Sequence, residues 1–164
     1  MNRHALRGLI VQTLYHMEIG LNTNNESEAK VAAVDSISDY VALLKEKAVK
    51  DPEINLTEDI LETEFTIDAF YYTTLEGVIK NITKIDSLIS ENLEGWNLTR
   101  LNKVDKAILR LAVYELLEKS APKKIIINEA IELSKNFTDL GDKKSPNFNN
   151  RLLDKIANQL EHNA

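Results

Sequence analysis

Residues 101–118 read LNKVDKAILRLAVYELLE, and this stretch decides the fold class. Leu101, Val104, Ile108, Leu111 and Ala112 form one stripe at helical spacing, and Leu109, Val113, Leu116 and Leu117 widen it. A helix that is apolar around most of its circumference belongs at the centre of a helical domain. Pro122 follows and marks the start of a new segment.

The same period extends in both directions. Toward the N-terminus, Leu6, Leu9, Ile10, Leu14, Met17 and Leu21 define a first helix with a stop at Gly20. Asn22 to Ser27 reads as a polar loop. Residues 28–50 carry a weaker stripe of Val31, Val34, Ile37, Val41 and Leu44, broken by Asp51-Pro52. Thr57 is placed to cap the next helix, with Glu58 and Asp59 in its first turn. The longest regular stretch runs from about Phe65 to Leu93. Its seam of Tyr71, Leu75, Val78, Ile82, Ile85 and Ile89 is heptad-like, and Gly95 ends it. Phe70, Ile79 and Leu88 make the other face apolar too, which favours the core rod of a bundle over a dimer zipper.

Beyond the central helix, residues 123–138 present Ala130, Leu133 and Phe137 along one side. A polar loop with Gly141 runs from Thr138 to Pro146. A last helix over 147–162 is built around Phe148, Leu152, Leu153, Ile156 and Leu160. Ile125–Ile127 is the one strand-like patch and is too short to build a sheet. The expectation is a single all-α domain over residues 1–164, a bundle of six or seven helices.

Composition narrows the function. The 164 residues are 43% hydrophobic and 28% charged, an ordinary globular balance. The chain has no cysteine, which excludes disulfides, thiolate metal sites and a cysteine nucleophile. Five glycines and three prolines are too few for a turn-rich β fold. No apolar run approaches the roughly 18 residues of a membrane span, and no secretory signal opens the chain, so a cytoplasmic location is expected. The net charge of −6 is unevenly spread. Residues 21–99 hold 6 basic against 16 acidic residues, whereas residues 100–164 hold 12 basic against 9 acidic. A local basic face is compatible with that total, because local field governs encounter.

Enzyme signatures are missing. The phosphate-binding, dinucleotide, zinc-protease and hydrolase motifs do not occur. His4, His16 and His162 are too dispersed to share a metal, and no metal or cofactor is expected. Glu115 with Glu118, and Glu129 with Glu132, are i, i+3 acid pairs. They leave a metal-dependent hydrolase as an enzymatic alternative, with solvated surface pairs the plainer reading.

The first helix is more informative. Side chains eleven apart differ by only about 20° around a helix, so His4 and Tyr15 share a face, with Arg7 at its border and Arg3 within reach. Arginine for phosphate and tyrosine for stacking is the combination single-stranded RNA requires. The plain alternative is a surface face with one half-buried tyrosine. A second basic stripe is read at Arg100, Lys103, Lys106 and Arg110. Arg110 is equally read as a core arginine paired with a glutamate such as Glu115 or Glu129.

Four segments together carry a family resemblance. They are VQTLY at 11–15, WNLTRL at 96–101 leading into VDKAILRLAVYEL at 104–116, INEAIELSKNF at 127–137, and FNNRLLDK at 148–155. In order and spacing they resemble the NusB family of transcription antitermination factors. The resemblance implies a non-enzymatic protein that binds boxA-type single-stranded RNA together with NusE, a small-subunit ribosomal protein. It implies loading of an antitermination complex on RNA polymerase, notably at ribosomal RNA operons. By the same resemblance Arg3, His4, Arg7 and Tyr15 lie on or near the RNA face, Arg100 and Lys144 are further RNA candidates, and Asp105 and Phe148 meet RNA or the protein partner.

Three features depart from the family pattern. The first helix is poorer in arginine, the loop between Phe137 and Phe148 is longer, and two residues of the last motif differ. Asn149 stands for an apolar residue and Arg151 for glycine, so Arg151 is read either as a remodelled surface or as a further phosphate contact. A NusB-like interaction module without RNA binding is the alternative function, and a homodimer of the free protein is left open.

Overall fold

The computed structural model describes residues 3–18, 69–95, 97–138, 141 and 144–162. They form six α-helices and one 3₁₀ turn, with no strand among the described residues. The expected stop at Gly20, the loop at 22–27, the helix over 28–50, the break at 51–52 and the cap at Thr57 lie outside them. The chain divides into two compact units, residues 1–79 and 80–164.

The first unit contains α1 (Arg3–His16) and all but the last residue of α2 (Ala69–Lys80). Of the α1 stripe, Leu6, Leu9, Ile10, Leu14 and Met17 are nearly inaccessible, as their spacing predicts, and Val11 beside them is buried too; Leu21 lies outside the described residues. A hydroxyl pair is among the links between the helices. Thr13 Oγ1 donates to the carbonyl of Leu9 at 2.8 Å and lies 2.7 Å from the Tyr71 hydroxyl. Either hydroxyl can donate across that pair.

The expected rod over 65–93 is interrupted. Helix α2 ends at Lys80 and α3 (Ile82–Asn92) starts after Asn81, whose φ of −106° and ψ of 16° leave the helical region. The seam survives the break: Tyr71, Leu75, Val78, Ile85 and Ile89 are buried, and only Ile82 is partly exposed. Ile79 and Leu88 on the other face are buried as well, in keeping with a core element rather than a zipper.

The second unit holds α3, a 3₁₀ turn at Leu98–Arg100, α4 (Lys103–Glu118), α5 (Lys123–Phe137) and α6 (Lys144–His162). Gly95 takes a φ of +71° in the turn after α3, a region open to glycine at little cost. Asn102 caps α4, its side-chain oxygen accepting from the amides of Val104 at 2.8 Å and Asp105 at 3.4 Å. Every residue from Asp105 to Val113 is buried, so no face of α4 is left to solvent there. Helix α4 accordingly packs against α3, α5 and α6, the central place its apolar circumference predicts. It ends at Lys119, the one non-glycine residue in the left-handed region among those described (φ 53°). The Ile125–Ile127 patch is helical within α5. Helix α6 begins three residues earlier than its pattern suggests, because Pro146 is tolerated in a first turn, where its missing N–H has no helical acceptor.

Candidate nucleic-acid interface

In the first unit the candidate residues surround one aromatic ring. The Arg3 guanidinium carbon lies 3.9 Å from the centroid of Phe70, and that of Arg7 lies 5.6 Å from the same ring. Two arginines one helical turn apart repel each other. The electron-rich face of Phe70, brought in from α2, offsets that repulsion. The two cations differ in exposure: Arg3 is exposed, whereas Arg7 is only 7% exposed. His4 is exposed. Tyr15 is 44% exposed and meets the edge of His16 at 5.7 Å, leaving much of its ring open. Phe70 escaped the sequence reading, which counted it as core. The available signal was an i, i+4 arginine pair opposite an aromatic, but the pairing of the two segments is not written locally.

In the second unit the basic stripe breaks up. Arg100 closes the 3₁₀ turn and so lies outside α4, Lys103 is exposed, and Lys106 and Arg110 are buried. Arg110 is a core arginine, but its bidentate partner is Asp86 of α3 rather than the glutamates weighed from sequence. Its Nε and Nη2 each donate to one Asp86 oxygen at 2.9 Å. The reason is reach across helices, which spacing along one helix does not reveal. The acid pairs separate likewise. Glu115 is buried and accepts from Ser120 at 3.4 Å, while Glu118 is exposed. Glu132 pairs with Lys135. Among the described residues no group of His, Asp and Glu is arranged to hold a metal ion.

Lys144 is exposed at the start of α6, and Asp105 lies beneath that helix start. One Asp105 oxygen accepts from Ser145 Oγ at 3.2 Å and the other from Asn149 Nδ2 at 3.2 Å. Asn149 is fully buried and also donates to Ser134 Oγ at 2.7 Å, while Ser134 returns its proton to the Ala130 carbonyl. The network thus ties α4, α5 and α6 together. It accounts for asparagine in place of an apolar residue, although Asn149 Oδ1 is left without a partner. Phe148, half-buried, lines a cleft of about 350 Å³ with Arg151, Leu152, Lys155 and the α3 end at Asn92–Glu94. Lys155 bridges to Glu94 at 2.9 Å, holding the Glu94 carboxyl below its usual pKa, and reaches the Asn92 carbonyl at 3.4 Å. Arg151 is exposed, so replacing glycine there puts charge on the surface and none in the core.

These observations define an all-α helical-bundle protein. Residues 4–158 match the model of the NusB family, and the chain belongs to that family. It is 37% identical over 168 residues to the transcription antitermination protein NusB of Clostridium tetani, covering 98% of this chain and all of that one. The corresponding protein of Nitratiruptor sp. is 32% identical, covering 99% of this chain and 96% of its own. The solved structure of T. maritima NusB superposes with a TM-score of 0.61 at 30% identity, covering 97% of this chain and 92% of that one. NusB-family proteins are not enzymes, in keeping with the motif reading.

Proposed function

We propose that this protein is a transcription antitermination factor that binds boxA-type single-stranded RNA jointly with a NusE-type small-subunit ribosomal protein, in support of ribosomal RNA transcription by RNA polymerase. The match over residues 4–158 supports treating the chain as one NusB-type domain. The observation that carries the RNA assignment is the exposed Arg3 guanidinium seated on Phe70, on the helix whose His4 and Tyr15 are also exposed. Arginine neutralises phosphate and an open tyrosine ring stacks a base. Arg100 and Lys144 add exposed positive charge. Arg7, largely buried on the same ring, contributes mainly through its field. Asp105 acts by holding the start of α6, where Lys144 and Phe148 stand, and Phe148 with its cleft is the partner-facing element.

The test is fluorescence anisotropy of a labelled boxA-type RNA with this protein, with the ribosomal partner, and with both, at two salt concentrations. The expected result is tighter binding by the pair, with an affinity that falls as salt rises by about 0.7 log units per log unit for each phosphate neutralised. A pair that associates yet leaves the RNA free overturns the assignment and makes this a protein-interaction module.

A further inference from the structure

We propose that Phe70 is a positioning residue for phosphate recognition: it presents the Arg3 guanidinium flat against its ring so that the N–H edge faces a nucleic-acid phosphate. The inference rests on the RNA-binding reading above and deepens it.

The geometry supplies the argument. At 3.9 Å from the ring centroid, Arg3 is within stacking contact of Phe70. A guanidinium carries five N–H donors, all in its own plane. Stacking uses the face of that plane and consumes none of them. A carboxylate partner would instead take two donors and cancel the charge. Arg3 has no such partner among the described residues; its recorded contact is the ring alone. Arg3 is exposed, so its donors meet solvent.

An exposed arginine ordinarily samples many rotamers, and binding phosphate then costs the freedom of each. The ring removes most of that cost beforehand. Arg7, one turn further and 5.6 Å from the same centroid, fills space beside the ring, so the platform itself is held in place. Phe70 therefore acts through Arg3, adding no charge of its own. That separates it from residues that touch the nucleic acid.

The distinction sets the experiment. R3A, F70L, the double variant and F70Y are compared in binding labelled boxA-type RNA with the ribosomal partner present, at several salt concentrations. F70L is expected to weaken binding about two- to tenfold with an unchanged salt slope. R3A is expected to weaken binding and to lower the slope by about 0.7, one phosphate contact on a single strand. The double variant binds like R3A, and F70Y, which keeps the ring, binds like the parent. In the free protein, the Arg3 side-chain proton resonances are shifted by the ring and return to ordinary positions in F70L. Effects of F70L and R3A that multiply, or an F70L protein that binds like the parent, overturn the proposal while the RNA reading stands. An intact ring-shifted Arg3 in a pair that binds no RNA overturns the RNA reading, and this proposal with it.

Discussion

Arg110 and Asp86 form a two-pronged ion pair inside the second unit, with the arginine side chain 1% exposed and the aspartate 24% exposed. A guanidinium so deeply placed is tolerable only while its charge is answered, since desolvation is costly. Substituting Asp86→Ala is expected to destabilise the fold by about 3–5 kcal/mol, because it removes the two-pronged carboxylate partner of a buried cation. R110M combined with D86L is expected to recover most of that loss. Denaturant unfolding of the three proteins is the check; equal midpoints for D86A and the parent would show that the pair does not secure α3 to α4.

Asn149 replaces an apolar residue of the family motif, and its amide bridges Asp105 and Ser134. N149A is expected to cost about 1–3 kcal/mol, the penalty of leaving buried polar groups unpaired. N149D is expected to cost more at neutral pH, since two carboxylates then meet where an amide donor stood. That loss should shrink on acidification, once the introduced carboxyl is protonated. Thermal melts across the acid range read the difference directly.

Tyr71 gives an alkaline prediction with a definite sign. Burial pushes its hydroxyl up to about 12, outweighing the Thr13 contact. In the unfolded chain the group ionises near 10. The folded chain therefore holds its proton where the unfolded chain has lost it, so stability declines from about pH 10 to 12. The decline attributable to Tyr71 is about 2–3 kcal/mol, and it is missing from Y71F. Denaturant midpoints of the two proteins should converge with rising pH; a constant gap would contradict the burial argument.

Lys119 ends α4 with a φ of 53°, where a side chain is strained and glycine is not. Lys119→Gly is expected to raise stability by about 0.5–1 kcal/mol, the strain relieved outweighing the added freedom of the unfolded chain. A lower melting temperature for K119G would mean that the lysine side chain secures the helix end.

Tyr15 is 44% exposed, so its ring can be removed without opening the core. Y15A is expected to weaken RNA binding by the pair by about five- to a hundredfold, the range for loss of one base–aromatic stack. Its unfolding midpoint should stay within about 0.5 kcal/mol of the parent. Unchanged RNA affinity in a folded Y15A protein would remove Tyr15 from the interface.

Helical identity was legible wherever the apolar period was strong. The α1 stripe, the all-round apolarity of α4 and the stripe of α6 each follow from spacing that repeats every few residues, and their centres are buried in the structure, with Phe148 and Leu160 of α6 only half-buried. The break at Asn81 was not legible, because the hydrophobic seam continues across it while the backbone leaves the helix. That His4 and Tyr15 share a face also followed from helical arithmetic, and both are exposed. The fate of the second basic stripe did not. Lys106 and Arg110 point into the unit because α3, α5 and α6 close around α4, and no local pattern records that.

The amino-acid sequence by itself determined the all-α class, the central place of α4 in its unit, the absence of cysteine chemistry and the family. All of these are written in composition or in contiguous patterns. Only the tertiary structure decided which charges are answered and by whom. Asp86 takes Arg110, Asn149 joins Asp105 to Ser134, and Phe70 receives Arg3 and Arg7. Each of these partnerships spans fifteen or more residues of chain. Helical periodicity correlates neighbours within a few turns, whereas an ion pair or a cation–π contact depends on which helices meet and at what height. That choice is made by packing of the whole chain.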